Sequence, residues 1–526
     1  MNQNNISATE LFQRVRELLT LPDLEPKTRN KMMHDTLILC CHEGVKDTKQ
    51  AFGNLFSQVD YLCKARGIKV ADKIAIQTMR RHSNSQEPLS GEDLKYDARA
   101  LTLFISAVFE ERIPHEVNVL IPHINRPFQK GLEINNRRIR CIVKNWDSDF
   151  IRVDIDQDAD EEEYLVRLKD EENHIDHTYL WDLLKEGMQL NLLDCQVKQP
   201  IITPRLIVVE PDYLVDISSI ATCFTAFGHH PLLYLLNLMK PRANTQATLL
   251  GNFAGAALDD IINSHGKYQV NETVKSNFRE KALEFCTCPW FDAKKFYTDA
   301  SLQAFNLQQV VDILFPHTAS QAKMSAFRGE SLYDRKKAIL EPSFVCEALG
   351  IQGRVDLMTT DCKLLVEQKS GRNMNIETHQ VDPAYHSYQL EPHYVQLLLY
   401  YGVLQHNFKL SNDRVNIRLL YSKYQPQDGL MVVAYYQKLF KEAIEYRNQL
   451  VAASFEIAKE GFEHTLNEFT PEVLNVAGTQ DFFYNKYLKP QIEAITNPLH
   501  DLSPLEEAYF CRMMTFVLRE QMISKV

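Results

Sequence analysis

The chain has 526 residues, 45% of them hydrophobic and 24% charged, a globular composition long enough for roughly two to four domains with a sizeable core. Its formal net charge of −11 argues against a protein that coats nucleic acid through bulk positive charge, although a locally basic cleft is compatible with an acidic surface. No apolar run reaches the about eighteen residues that a membrane span needs, and the opening Met1-Asn-Gln-Asn-Asn-Ile-Ser7 lacks the charged and apolar regions of a secretory signal.

Residues 1–85 are expected to be a helical region. Leu11, Val15, Leu18 and Leu19 recur at helical spacing, as do Leu37, Leu39 and Cys40, then Phe52, Leu55, Phe56, Val59 and Leu62. Cys40-Cys41-His42 has no second half at ligand spacing, so it reads as core cysteines on a helix. The eleven cysteines, odd in number and irregularly spaced, read as reduced thiols of a cytoplasmic chain. Ser83 to Gly91 has the composition of a linker.

Residues 92–210 are expected to form a second domain, whose character changes from about Pro114 to Val209. Val117–Ile121, Arg138–Val143, Phe150–Ile155 and Gln189–Leu193 are short β-like runs between polar turns, and a small barrel of the OB type fits their density. Arg137, Arg138 and Arg140 are candidates to track a phosphate backbone, with a solvated strand edge as the plain alternative. The run Asp154–Glu163 imitates a calcium loop, yet its sixth position is Ala159 and its twelfth is Leu165, where such a loop needs glycine and glutamate. It reads as a solvated acidic loop.

Beyond residue 213 the chain carries its most chemical stretch, Gly353 to Gly371. Arg354–Met358 and Leu364–Lys369 are β-prone, and Thr359-Thr360-Asp361 supplies turn residues, so the stretch predicts a hairpin. Strand alternation puts Glu367 and Lys369 on one face and Gln368 on the other. If Asp356 points to the same edge, two carboxylates and an ammonium converge. Carboxylate oxygens suit hard divalent cations, and a lysine beside them can orient a metal-bound water or balance charge in a transition state. An exposed charged strand is the ordinary alternative. Further on, Asn375–Gln389 reads as a polar loop in which His379, Tyr385, His386 and Tyr388 are candidates to stack on single-stranded bases, with an ordinary polar loop as the equal alternative. Gln396 and Tyr400 lie four apart on an apolar helix and share a face.

These residues resemble the PD-(D/E)XK nucleases, specifically the RecB-like domain of replication and repair helicase–nucleases and of CRISPR-associated RecB-like exonucleases. Asp356 matches the family's aspartate, ten residues follow, and Glu367-Gln368-Lys369 matches (D/E)XK. The run Glu341 to Asp356, the phrase Lys369-Ser-Gly-Arg372 and the helix Gln396-Leu-Leu-Leu-Tyr400 match the flanking motifs in order. Leu214 to Cys223 is similar to the family's entry into this domain, and Arg447-Asn-Gln449 to a phrase of the helicase–nucleases. Two departures stand out. The helix opening Gly251-Asn-Phe-Ala-Gly255 has glycine where the family has a metal-binding histidine, and Asp259, one turn on, is the candidate replacement, with Asp260 and Glu341 as others; a solvated helix face is the alternative. The family's iron–sulfur cluster needs four thiolates, and only Cys223 matches, so no cluster is expected.

The resemblance implies an α/β chain whose restriction-endonuclease-like core, with a mixed central sheet, occupies residues 213–475, after the helical region and the OB-like barrel. A helical tail, 476–526, corresponds to the family's junction to a helicase motor; no Gly-x-x-x-x-Gly-Lys-(Ser/Thr) loop occurs, so the motor is expected in a longer polypeptide or a separate subunit. The implied activity is metal-dependent hydrolysis of DNA, single-stranded or flapped, in the cytoplasm or nucleoid. Asp356, Glu367, the Gln368 carbonyl and Asp259 would hold Mg2+ or Mn2+, Asp356, Glu367 and Lys369 would be catalytic, and Gln396, Tyr400 and Arg372 would touch substrate. The rival readings are a catalytically impaired platform for single-stranded nucleic acid, since Gly255 lacks the histidine, and an interaction protein whose acidic surface meets protein partners.

Overall fold

The computed structural model describes the chain apart from residues 1–5, 23, 49–54, 85–87, 127–136, 156–162, 172–173, 242–243, 265–266, 329, 383–384, 386, 411–414 and 526, and the side chains of 56, 57, 70, 84 and 327. Most of the acidic run after Asp154, part of the expected linker, and His386 therefore lie outside the described residues. The chain divides into two compact units: Met1–Tyr213 with Ser454–Gly461 and Met513–Val526, and Leu214–Ala453 with Phe462–Arg512. It is a mixed α/β protein, and among the described residues no helix is long and apolar enough to cross a membrane.

In the first unit, the amphipathic spacing produces helices Ala8–Thr20, Pro26–Val45, Leu55–Ala65 and Val70–Asn84. Ser7 opens the first with a reciprocal capping box to Glu10, satisfying two of the free backbone donors at a helix start. Leu11, Val15, Leu37, Cys40 and Cys41 are all buried in one core, and burial pushes the Cys41 thiol well up, as expected of cysteines used as small apolar residues. A fifth helix, Gly91–Phe109, lies where the barrel was expected to begin. Ser90 caps it, Glu92 and Asp93 fill its first turn, and Leu94, Ala98, Leu101, Ile105 and Val108 are buried, packing into that same helical core. Val117 likewise falls in a helical turn, His115–Asn118, begun by Pro114, rather than in a strand.

The β-region of this unit is one seven-stranded sheet, in the order Gln196–Lys198, Ile201–Thr203, Tyr164–Arg167, Phe150–Ile155, Arg138–Trp146, Gln189–Leu193, Leu206–Val209. Alternate residues Ile151, Val153 and Ile155 are buried, the half-buried pattern of period two. The expected small OB-like barrel does not close: among the described residues the two edge strands do not pair. Closure requires the last strand to return to the first. Instead, Ile201–Thr203 runs parallel to Tyr164–Arg167, and beyond Pro204 the chain enters the opposite edge, pairing Leu193 with Leu206. Arg140 is held in a two-pronged pair with Asp212, at 2.9 and 2.7 Å, so its charge is matched within the unit.

The second unit is built on a five-stranded mixed sheet, in the order Ala338–Leu340, Leu357–Thr359, Leu364–Lys369, Asn416–Tyr421, Leu430–Val432. Its middle strand is antiparallel to Leu357–Thr359 and parallel to Asn416–Tyr421. Leu364 and Val366 face a core with Leu249, Phe253, Ala257, Leu307 and Val311, from the helices Gln246–Asn263 and Ala293–Leu314. A parallel pair needs a crossover, and the helix Glu391–Phe408 lies within it. A second sheet of three strands joins Val215–Asp216, Ile351–Arg354 and Ser343–Cys346. The expected strand Arg354–Met358 is thus split: Arg354 ends a strand of one sheet and Leu357 begins a strand of the other. Asp356 sits at the switch.

Candidate active site

The hairpin forms with Leu357 opposite Val366 and Met358 opposite Leu365. Because Asp356 lies just before the ladder begins, its carboxylate is free to turn inward, where Oδ2 accepts from the Gln368 backbone N–H at 2.6 Å. Glu367 is only 3% exposed. Its Oε1 accepts from Lys369 Nζ at 2.8 Å, while Oε2 is buried and, among the described residues, has no hydrogen-bond partner. Lys369 Nζ also donates to Gln396 Oε1 at 2.8 Å. Two carboxylates and an ammonium therefore converge on the face that the alternation of Glu367 and Lys369 indicates.

Burial, then the neighbouring Asp356, push the Glu367 carboxyl up to about 7, against the pull of Lys369. Burial also raises Asp356. Asp259, half-buried on the Gln246–Asn263 helix, is pushed up to about 6 by burial first, then by Glu341, Asp260 and Asp356. Several carboxylates whose charge is disfavoured, one with a buried oxygen that has no partner among the described residues, form a donor set that a divalent cation would satisfy. Among the described residues no group of three such side chains stands ready as a cage, so Asp259 and Glu341 share the field of Asp356 without completing a preformed site. The Asp259 neighbour behaves differently: Asp260 is exposed and accepts from Thr273 Oγ1. At Gly255 an added Cβ would meet nothing within 4 Å among the described residues.

Gln368 points to the other face, where its amide donates to Ser422 Oγ at 2.8 Å and Ser422 donates to Gln303 Oε1 at 2.6 Å. This buried chain, with Gln303 also donating to the Ser370 carbonyl, fixes the strand end from beneath. Tyr400 is buried, and its hydroxyl donates to the Arg354 carbonyl at 2.6 Å. It packs so tightly on Gly353 that a Cβ there would lie 2.9 Å from the ring. Tyr400 thus holds the strand leading into Asp356, while Gln396, one turn earlier, holds Lys369. Arg372 is exposed and paired with Glu377, which Tyr424 and Lys423 also approach. Of the aromatic loop, Tyr385 donates to Glu391 and the Tyr388 carbonyl accepts from Asn373.

Sequence reasoning passed over His393. Its Nδ1 lies 3.0 Å from the Tyr421 hydroxyl, and burial, then the charge of Lys369, push it down to about 4. The available signal was its place at i, i+3 and i+7 with Gln396 and Tyr400 on one helix face. Cys223 is buried, and burial pushes its thiol up to about 12. Compared with known proteins, the chain matches no family model, and no curated protein matches it in sequence.

Proposed function

We propose that this chain is a metal-dependent nuclease that hydrolyses phosphodiester bonds in single-stranded or flapped DNA. The observation that carries the reading is the buried Glu367 carboxylate, with one oxygen on Lys369 and the other without a partner among the described residues, beside Asp356. Asp356 and Glu367, with the Gln368 carbonyl and Asp259, are the residues that would hold Mg2+ or Mn2+. Such an ion, when bound, lowers the pKa of a water and neutralises charge on the phosphate. The chain's own contribution is positional. Lys369, braced by Glu367 and Gln396, has one N–H left, which would orient the attacking water by a hydrogen bond or stabilise the oxygen on which negative charge develops. Gln396 and Arg372 line the approach of the strand, and Tyr400 keeps the Arg354–Asp356 segment in place. The partner we propose is a helicase motor, in a longer polypeptide or as a separate subunit.

Labelled single-stranded and flapped DNA, incubated with magnesium or manganese, tests the reading with wild type beside Lys369→Ala and Asp356→Asn. Metal-dependent cutting that both variants lose by orders of magnitude supports it. No cutting by wild type, with equal DNA binding by all three proteins, overturns it and leaves the non-catalytic platform, the reading that the lack of a side chain at Gly255 favours.

A further inference from the structure

Trp290 is 99% exposed and has a φ of 57°, a left-handed backbone that a bulky residue rarely adopts. Its neighbours in sequence are packed or capped. Cys288 is buried on one side, and on the other Phe291 packs edge-on against Phe285, at 5.3 Å between ring centres, within a cluster that includes Phe278 and Phe296. Asp292 caps the following helix by accepting from the Lys295 backbone N–H at 3.0 Å. The large apolar ring is therefore held out into solvent by a locally strained turn, the opposite of what hydrophobic burial selects.

The position of that turn gives the ring a use. The Asp292 backbone N–H donates to Gln246 Oε1 at 2.9 Å, and the Asn244 amide donates to Thr287 Oγ1 at 2.7 Å, fixing the turn to the amino end of the Gln246–Asn263 helix. Five positions along that helix, about 7.5 Å at 1.5 Å per residue, Gly251 passes so near the candidate catalytic strand that a Cβ there would lie 3.1 Å from Ser370 Oγ. Ser370 follows Lys369. Lys294 and Lys295, in the turn after Trp290, are exposed, and among the described residues neither is in an ion pair. A projecting aromatic ring beside free ammonium groups is the combination that grips single-stranded nucleic acid, stacking for the base and charge for the phosphate.

We infer that Trp290 stacks on a base of the bound single strand, with Lys294 and Lys295 on its phosphates, so that the strand leaves the cutting site along the amino end of the Gln246–Asn263 helix. The inference rests on the nuclease reading and adds the strand's course to it.

The test is fluorescence anisotropy of a labelled oligothymidylate, with calcium replacing magnesium, on the full chain, Trp290→Ala and Trp290→Phe. Trp290→Ala is expected to weaken binding roughly 5- to 100-fold, the loss of one base–aromatic stack, and Trp290→Phe to keep most of the affinity. In magnesium, Trp290→Ala raises KM far more than it lowers kcat. DNA also quenches tryptophan emission in wild type, and the quench is lost in Trp290→Phe, which keeps Trp146 and Trp181. Unaltered melting of both variants accompanies the expected result, since the ring is 99% exposed. Equal affinity of wild type and Trp290→Ala, in a chain that cuts DNA, overturns the inference and spares the nuclease. A wild type that neither binds nor cuts removes both. A Trp290→Ala variant that alters self-association in light scattering but not DNA affinity assigns the ring to a protein contact and overturns the inference.

Discussion

Lys369 Nζ and Gln396 Oε1 share a hydrogen bond of 2.8 Å that ties the middle strand of the sheet to the helix crossing behind it. With the bond from Lys369 to Glu367, it leaves the ammonium one proton to offer outward. Gln396→Ala removes the brace and leaves the charge. Cleavage is then expected to fall roughly tenfold to a hundredfold, the usual cost of deleting a group that orients a reacting one, with metal affinity little changed. Single-turnover cleavage at saturating DNA, read beside manganese titration, checks this; loss of metal binding in Gln396→Ala contradicts it.

Glu367 makes the metal-free chain sensitive to pH. Its carboxyl is raised from an ordinary 4.5 to about 7 in the folded protein, so the fold binds a proton there that the unfolded chain has released. The associated stability is present below about pH 4.5 and is lost as pH rises through about 7. Metal binding needs the ionised group and therefore displaces that proton below about pH 7. Calorimetry in buffers of differing ionisation enthalpy is expected to show proton release on manganese binding near pH 6 that fades by about pH 8. In Glu367→Gln the metal-free stability profile flattens across this window. A wild-type profile as flat as that variant's contradicts the assignment.

Much of this site was legible because alternation is a local property. Glu367 and Lys369 lie two apart, so any strand through them puts both on one face. The four-residue spacing of Gln396 and Tyr400 worked the same way on a helix. What could not be read was set by pairing. Nothing in Arg354–Met358 announces that Arg354 joins one sheet and Leu357 another, because the break is made by strands drawn from near Val215 and Ala338. Barrel closure likewise depends on which edge Leu206–Val209 chooses. The helix Gly91–Phe109 is a different case: Ser90, the acidic first turn and the apolar spacing were all present, and the β-like runs downstream drew the boundary too early.

Two glycines on helices predict opposite outcomes. An added Cβ at Gly255 meets nothing within 4 Å among the described residues, so Gly255→Ala is expected to stabilise the chain by about 0.5–1 kcal/mol, the ordinary cost of glycine inside a helix. Gly255→His is expected to tighten manganese binding, as read by manganese titration. At Gly402 a Cβ would run into the Phe440 ring, and Gly402→Ala is expected to cost about 1–3 kcal/mol from overpacking. Urea denaturation of the three variants decides both; a destabilised Gly255→Ala means the helix face is covered.

The last prediction concerns a charged cluster away from the site. His229 lies 2.7 Å from Glu442 through Nδ1 and also bonds Glu391 through Nε2, while Tyr385 donates to the same Glu391. The hairpin Phe224–Thr225 and Gly228–His229 is thereby pinned to the helix Glu391–Phe408 and, through Tyr446 bonding the His229 carbonyl at 3.1 Å, to the segment bearing Glu442. Burial opposes charge on His229, but its bonds to the two carboxylates outweigh burial and raise it from 6.5 to about 9. The imidazolium is therefore the folded form, and its stabilisation is complete below about pH 6.5 and lost as pH rises through about 9. His229→Gln removes the charge and leaves Glu391 facing Glu442. The variant is expected to be clearly less stable than wild type at neutral pH, and the gap is expected to narrow as pH rises from about 6.5 to about 9, where wild type gives up its own proton. Urea denaturation of both proteins across that range is the measurement. A gap that stays constant from about pH 6 to 10 would show that His229 acts through packing on Phe224, 4.6 Å away between ring centres, and not through its charge.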